Sequence, residues 1–174
     1  MHFKRNDGIT LFELTITIAI FTILYSLAVP YYHDFKAKQE AQYLPSLLQQ
    51  YLSRAKHLAL THHNNLVICS SPDLEQCGQD HWGYGFILFF DKNQNKILDN
   101  NESLIAKHRT NITYGTLSWK GSLKNSSITF QGDTGLPRGS IGSFYYCSSS
   151  LNIQHRVILN MVGGVRHESQ STTC

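Results

Sequence analysis

The sequence predicts an α+β protein in which a long N-terminal helix crosses a membrane and continues as the spine of a globular domain with antiparallel β-sheets. Three observations predict this class. Residues 9–29 form an apolar run whose one ionisable side chain is Glu13, long enough to cross a bilayer as a helix. Leu44, Leu47, Leu48, Tyr51, Leu52, Ala55, Leu58 and Ala59 then recur at i, i+3, i+4, i+7 spacing, an apolar stripe against which a soluble domain can pack. From Asn65 onward the pattern changes to short runs rich in Ile, Val, Phe, Tyr and Thr, broken by Gly, Asn, Asp and Ser, which read as strands joined by turns.

The elements follow in order. Lys4 and Arg5 stand directly before the apolar run, which keeps that end in the cytoplasm and sends the rest of the chain across. A secretory signal carries its small-residue cleavage site after a shorter apolar core. Here the small residue, Gly8, comes first, so a cut after it leaves the anchor on the mature protein. Pro30 lacks a backbone donor and is expected to kink or loosen the helix at the membrane surface, and Pro45 to bend it again. Tyr31 and Tyr32 suit the interfacial belt. The organisation expected is therefore 1–8 leader, 9–29 transmembrane helix, 30–63 amphipathic half of the helix, and 64–174 β-rich domain. Strands are expected over 66–70, 85–91, 103–108, 112–119, 127–131, 143–147 and 156–161.

The net charge of +3 hides an uneven distribution. Residues 69–102 hold Asp73, Glu75, Asp80, Asp91, Asp99 and Glu102 against Lys92 and Lys96, net −4, while residues 103–174 hold seven bases against Asp133 and Glu168, net +5. One face of the domain is expected to be acidic and another basic. The four cysteines, Cys69, Cys77, Cys147 and Cys174, all follow the anchor and so reach an oxidising compartment, where two disulfides are expected in one of three connectivities. The favoured pairing is Cys69 with Cys77 and Cys147 with Cys174. Zinc is the rival, but no C-x-x-C spacing occurs.

Nine histidines invite an enzymatic reading. His62 and His63 are adjacent rather than four apart, and no nucleophile elbow, P-loop or dinucleotide-binding glycine pattern is present. His33, His57, His81, His108 and His155 are expected to be surface or helix residues. The chain is not expected to be an enzyme or to need a cofactor.

Gly8-Ile9-Thr10-Leu11-Phe12-Glu13 resembles the class III signal of type IV pilins and type II secretion pseudopilins. That resemblance implies cleavage after Gly8 by a prepilin peptidase, methylation of the new N-terminus at Ile9, and assembly with other major and minor pilins or pseudopilins. A carboxylate in the hydrocarbon region costs about 3 kcal/mol and usually faces a partner. For Glu13 the resemblance implies the N-terminal amine of a neighbouring subunit.

The stretch Cys69-Ser70-Ser71-Pro72-Asp73, Cys77, then Trp82-Gly83-Tyr84-Gly85-Phe86-Ile87-Leu88-Phe89-Phe90-Asp91-Lys92-Asn93-Gln94-Asn95, Asp99 and Glu102, resembles the GspH/FimT family of minor pilins and pseudopilins. A type IV pilin-like fold is implied, held in the inner membrane before assembly with the domain in the periplasm, and in a filament afterwards. The paired cysteines favour the pilus branch of FimT and FimU over the secretion pseudopilin.

Two local features need weighing. Asp91, Asn93, Asn95, Ile97, Asp99 and Glu102 stand at the ligand positions of an EF-hand loop. Lys96 replaces its glycine and strands flank it, so a polar hairpin turn is the simpler account and calcium the weaker one. Gly163-Gly164-Val165-Arg166 resembles the Gly-Arg-x-Arg motif of FimT-like pilins that bind double-stranded DNA, with Gly164 in place of the first arginine. Arg166 carries over, and Arg156, Arg138, Lys120, Lys124 and His167 are candidates to extend a phosphate-contacting patch. The competing account is a turn with scattered solvated charges.

Overall fold

The computed structural model describes residues 10–122, 126–149, 151 and 153–170. The chain divides into two compact units between Lys36 and Ala37. Both contain part of one helix, α1, Leu11–His62, which is helical through Pro30 and Pro45. Thr10 caps its start: the Glu13 N–H donates to Thr10 Oγ1 at 3.2 Å, and the Leu14 N–H to the Thr10 carbonyl at 3.1 Å. The first of these satisfies one of the donors a helix start leaves unpaired, and the second is the helix's first i→i−4 bond. The far end closes with a Schellman pair. The Asn64 N–H reaches the Ala59 carbonyl and the His63 N–H that of Leu60, with His63 in the left-handed conformation usually given to glycine (φ 50°).

In the first unit the apolar side chains of α1 are exposed on every side, from Leu11 and Phe12 to Leu27. Its hydroxyls are turned inward. Thr15, Thr17, Thr22 and Ser26 each donate to the carbonyl three residues earlier at 2.8 Å, so none presents an unmet donor to its surroundings.

The second unit holds eight strands: β1 Leu66–Ser70, β2 Gly85–Phe90, β3 Leu104–Arg109, β4 Gly115–Gly121, β5 Ser127–Phe130, β6 Gly142–Ser148, β7 Gln154–Leu159 and β8 Val165–Gln170. They form two four-stranded sheets, in the orders β3-β2-β1-β5 and β4-β6-β7-β8, with every neighbouring pair antiparallel. The predicted stripe is the helix's inward face. Leu44, Leu47, Leu48, Leu52, Ala55 and Ala59 are buried, Tyr51 and Leu58 pack half-buried beside them, and Ala37 and Ala41 extend the stripe toward the N-terminus. The same core takes in Leu66, Ile68, Phe86 and Leu88 from the first sheet and Leu117, Trp119, Phe144, Val157 and Leu159 from the second.

β1 and β2 are buried on both faces, which is why they read as continuous apolar runs rather than alternating ones. Their second face, Val67, Cys69, Ile87 and Phe89, packs under Leu74, Cys77 and Leu98. The loops carrying those three residues are thus the roof of a second small core.

Three expectations need correction. β4 begins at Gly115 rather than at Ile112, because the N–H groups of Thr113 and Tyr114 are taken by the Glu40 carboxylate. β8, Val165–Gln170, is a strand beyond the seven expected. His155 is buried, not on the surface.

Candidate functional site

Gly8 and Ile9, the predicted cleavage site, lie outside the described residues, as do Lys124 and Cys174. Glu13 occupies the first turn of α1, three residues after the Thr10 cap, where a negative charge also suits the helix dipole. Among the described residues one span, within Leu11–His62, is long and apolar enough to cross a membrane.

In the second unit Cys69 and Cys77 form a disulfide. Cys147 is also disulfide-bonded, while the partner expected for it, Cys174, lies outside the described residues. The loop closed by Cys69–Cys77 is braced further. Asp73 Oδ1 accepts the N–H groups of Glu75 and Gln76 at 2.8 and 3.1 Å, and Asp73 Oδ2 accepts the Gln76 amide. Those two backbone donors, Glu75 first, with help from the Gln76 side chain, hold the Asp73 carboxyl well below the usual carboxylate range. Asp73 and Glu75 are exposed on this loop, and Asp80 is exposed just beyond it.

The calcium candidates are bonded to one another. Asp91 accepts the N–H groups of Asn95 and Lys96. Glu102 accepts those of Lys92 and Asp99, and Asp99 Oδ2 accepts the amides of Asn93 and Asn95 at 2.8 Å each. Lys96 has φ 61° at the place where an EF-hand has glycine. Among the described residues no group of three or more His, Cys, Asp or Glu is disposed to hold a metal.

The strand registers bring three of the basic candidates, Lys120, Arg156 and Arg166, to one face. Ser118, Tyr145, Arg156 and Glu168 lie directly opposite one another across the second sheet, and Lys120, Ser143, Ile158 and Arg166 form the adjacent row. Their neighbours Trp119, Phe144 and Val157 point into the core, so both rows belong to the outward face. There Lys120 and Arg156 sit over the Tyr145 ring, 5.0 and 5.4 Å from its centroid. Arg156 Nε donates to Ser143 Oγ at 3.1 Å. Glu168 pairs with Arg166 at 2.8 Å and with Arg156 at 3.9 Å. Lys120, Tyr145, Arg156, Ile141, Ile158 and Met161 line an open cleft of about 390 Å³.

Two basic candidates lie elsewhere. Arg138 pairs with Asp133 at 3.8 Å. His167 belongs to the opposite side of β8 from Arg166 and Glu168, because side chains alternate along a strand, and its Nε2 lies 2.9 Å from His155 Nδ1. It does not extend the patch. Burial first, then the neighbouring His167, lowers the pKa of His155.

Gly163 and Gly164 form the β7–β8 turn. Asn160 Oδ1 clamps it by accepting the N–H groups of Val162 and Gly164, and Lys56 Nζ donates to the Val162 carbonyl at 2.9 Å. A Cβ on Gly164 would lie 2.9 Å from the Asn160 amide, so a larger residue here has to displace the clamp.

One residue that the sequence reading missed organises the second unit. The Glu40 carboxylate accepts the N–H groups of Thr113 and Tyr114 and the Tyr146 hydroxyl at 2.8 to 3.1 Å. It ties α1 to the β3–β4 connection and to β6.

The profile of the family described as Type II transport protein GspH matches residues 46–163, well over half of the chain. The chain belongs to the GspH family. This is a family of structural pilins rather than enzymes, and a GspH-family chain is a pilus or pseudopilus subunit. Among solved structures, the chain is similar to a crystal structure of the Pseudomonas aeruginosa (strain PAO1) type IV minor pilin FimU in space group P21. Identity is 18%, the TM-score is 0.57, and the match covers 79% of this chain and 93% of that one. FimU in space group P65 aligns at 17% identity with a TM-score of 0.49, over 77% and 93%. The first of these shows that the GspH-family chain has the type IV pilin fold, with one long apolar N-terminal helix leading into antiparallel sheets. No curated protein matches its sequence.

Proposed function

We propose that this chain is a minor pilin of a type IV pilus. It is made as a precursor, held in the inner membrane with its domain in the periplasm, cut after Gly8 by a prepilin peptidase and methylated at Ile9. Helix 9–29 then packs with those of other pilins within the filament or at its tip. The observation carrying this reading is a helix that is apolar on all sides and uncovered within its own unit, with Glu13 as the one carboxylate, and no Lys or Arg, from 9 to 29. Such a surface calls for lipid or neighbouring helices. Glu13 gives those helices a register by pairing with the N-terminal amine of the next subunit.

Immunoblots of membranes and sheared filaments test the proposal. Gly8→Leu is expected to accumulate as precursor, and Glu13→Ala to be processed yet absent from filaments. Normal incorporation of Glu13→Ala would remove the pairing argument.

The second reading, a pseudopilin of type II secretion, draws on the family description itself. A deletion strain that stops releasing exoproteins while keeping its pili would select it. Contact with DNA in transformation draws on Lys120, Arg156 and Arg166 sharing one face, but is supported less. Arg138, Arg156 and Arg166 all stand in ion pairs with carboxylates of their own chain.

A further inference from the structure

We infer that the outward face of the second sheet, centred on Lys120, Tyr145 and Arg156, docks the disulfide-closed acidic loop of a second copy of this chain. The inference rests on the subunit reading above but not on which filament is built.

The face has the composition of a protein-docking site rather than a phosphate track. Its cations are spread over an aromatic ring, and the cleft walls include Ile141, Ile158 and Met161, with Met161 73% exposed. Glu168 sits on the same face, between Arg156 and Arg166. A carboxylate there repels a continuous phosphate backbone, whereas a compact segment with a few acids can meet Lys120 and Arg156 and leave Glu168 to Arg166.

The same chain supplies the complement. Asp73, Glu75 and Asp80 stand exposed on the loop that follows β1, and no Lys or Arg occurs from residue 69 to 91. Its shape is fixed before any contact: the Cys69–Cys77 bond closes it, the Ser71 hydroxyl donates to the Gln76 carbonyl at 2.6 Å, and Asp73 pins the next turn. Docking therefore orders little new chain. Because face and loop are different patches, a contact between two copies is heterologous and leaves one of each free on the pair.

The test uses the full chain in detergent, with self-association followed by sedimentation at about 50 and 500 mM salt. Lys120→Glu and Glu75→Lys are the reporters; both positions are exposed, and unchanged melting curves certify the fold. The wild type is expected to associate at low salt and to lose at least tenfold in affinity at high salt. Each variant alone should weaken association about tenfold, and an equimolar mixture of the two should recover most of it. Association that ignores salt and both reversals, or a mixture no tighter than its components, would overturn the inference. So would saturable binding of duplex DNA by the wild type that Lys120→Glu abolishes while self-association stays unchanged. Glu13→Ala serves as the control: it should associate like the wild type here whether or not it enters filaments, so failure of the anchor reading and failure of this contact are read separately.

Discussion

From Leu11 to Leu27 the large apolar side chains stand 43 to 80% exposed, whereas Trp82, Phe86, Leu88 and Phe144 in the second unit are at most 1% exposed. Both regions are rich in the same residue types, so hydrophobicity alone does not separate them. The second unit brings its own partners, since the stripe from Ala37 to Ala59 has two sheets to lie on. The first has none, and its hydroxyls bond back to its own carbonyls. The difference teaches where each region's stability resides: in contacts within the chain for one, and, on the proposed reading, in surroundings that the chain does not itself supply for the other.

The sharpest way to break that contrast is a pair of truncations. Trp82→Ala removes the ring packed edge-on to Phe144 at 4.8 Å and is expected to cost about 3 to 5 kcal/mol in denaturant unfolding of the second unit. Ile20→Ala, in the exposed region, should leave that unfolding midpoint unmoved. A comparable loss from Ile20→Ala would erase the distinction. Next in size is Glu40→Ala, which strands donors from Thr113, Tyr114 and Tyr146 and should destabilise by about 3 kcal/mol. Glu40→Gln keeps one acceptor and should lose less, and equal losses would argue against the clasp.

The smallest effect is pH-dependent. His155 and His108 have pKa values lowered from 6.5, each chiefly by burial. The folded unit therefore prefers neutral rings, and the unfolded chain takes up protons first. Their contribution is complete above about pH 6.5 and is lost as pH falls through that value toward the lower folded pKa values. The groups facing His155 are His167 of β8, Tyr146 of β6 and Lys38 of α1. Melting at pH 5.5 should come a few degrees below that at pH 7.5, and His155→Gln should reduce the difference.

Periodicity made the helix and its buried stripe legible, because Leu44 to Ala59 repeat at a spacing that only a helix turns to one side. β1 and β2 were legible as apolar runs, yet the reason they are apolar on both faces, the roof formed by Leu74, Cys77 and Leu98, joins loops that no local pattern connects. β8 escaped because it is an edge strand with little burial, so Val165–Gln170 lacks the alternation that marks a half-buried strand. In the candidate site, charge counting found Lys120, Arg156 and Arg166 but not the register that sets Tyr145 and Glu168 among them. His167 was misplaced for the same reason, since one step along β8 changes sides. Glu40 gave no signal at all, because a carboxylate on a helix looks solvated until residues 73 and 106 positions later fold back onto it.

Those separations also set a timetable. Tyr146 follows Glu40 by 106 residues, and so does Val162 follow Lys56. At about 5 to 20 residues per second, the amphipathic half of α1 waits roughly 5 to 20 s between its own synthesis and the arrival of its clasp. During that interval Leu48 and Leu52 gain Ile68 of β1 and Phe86 of β2 well before Phe144 and Val157 of the second sheet are made, so the spine is covered by one sheet first and by the other only when the last hairpins arrive.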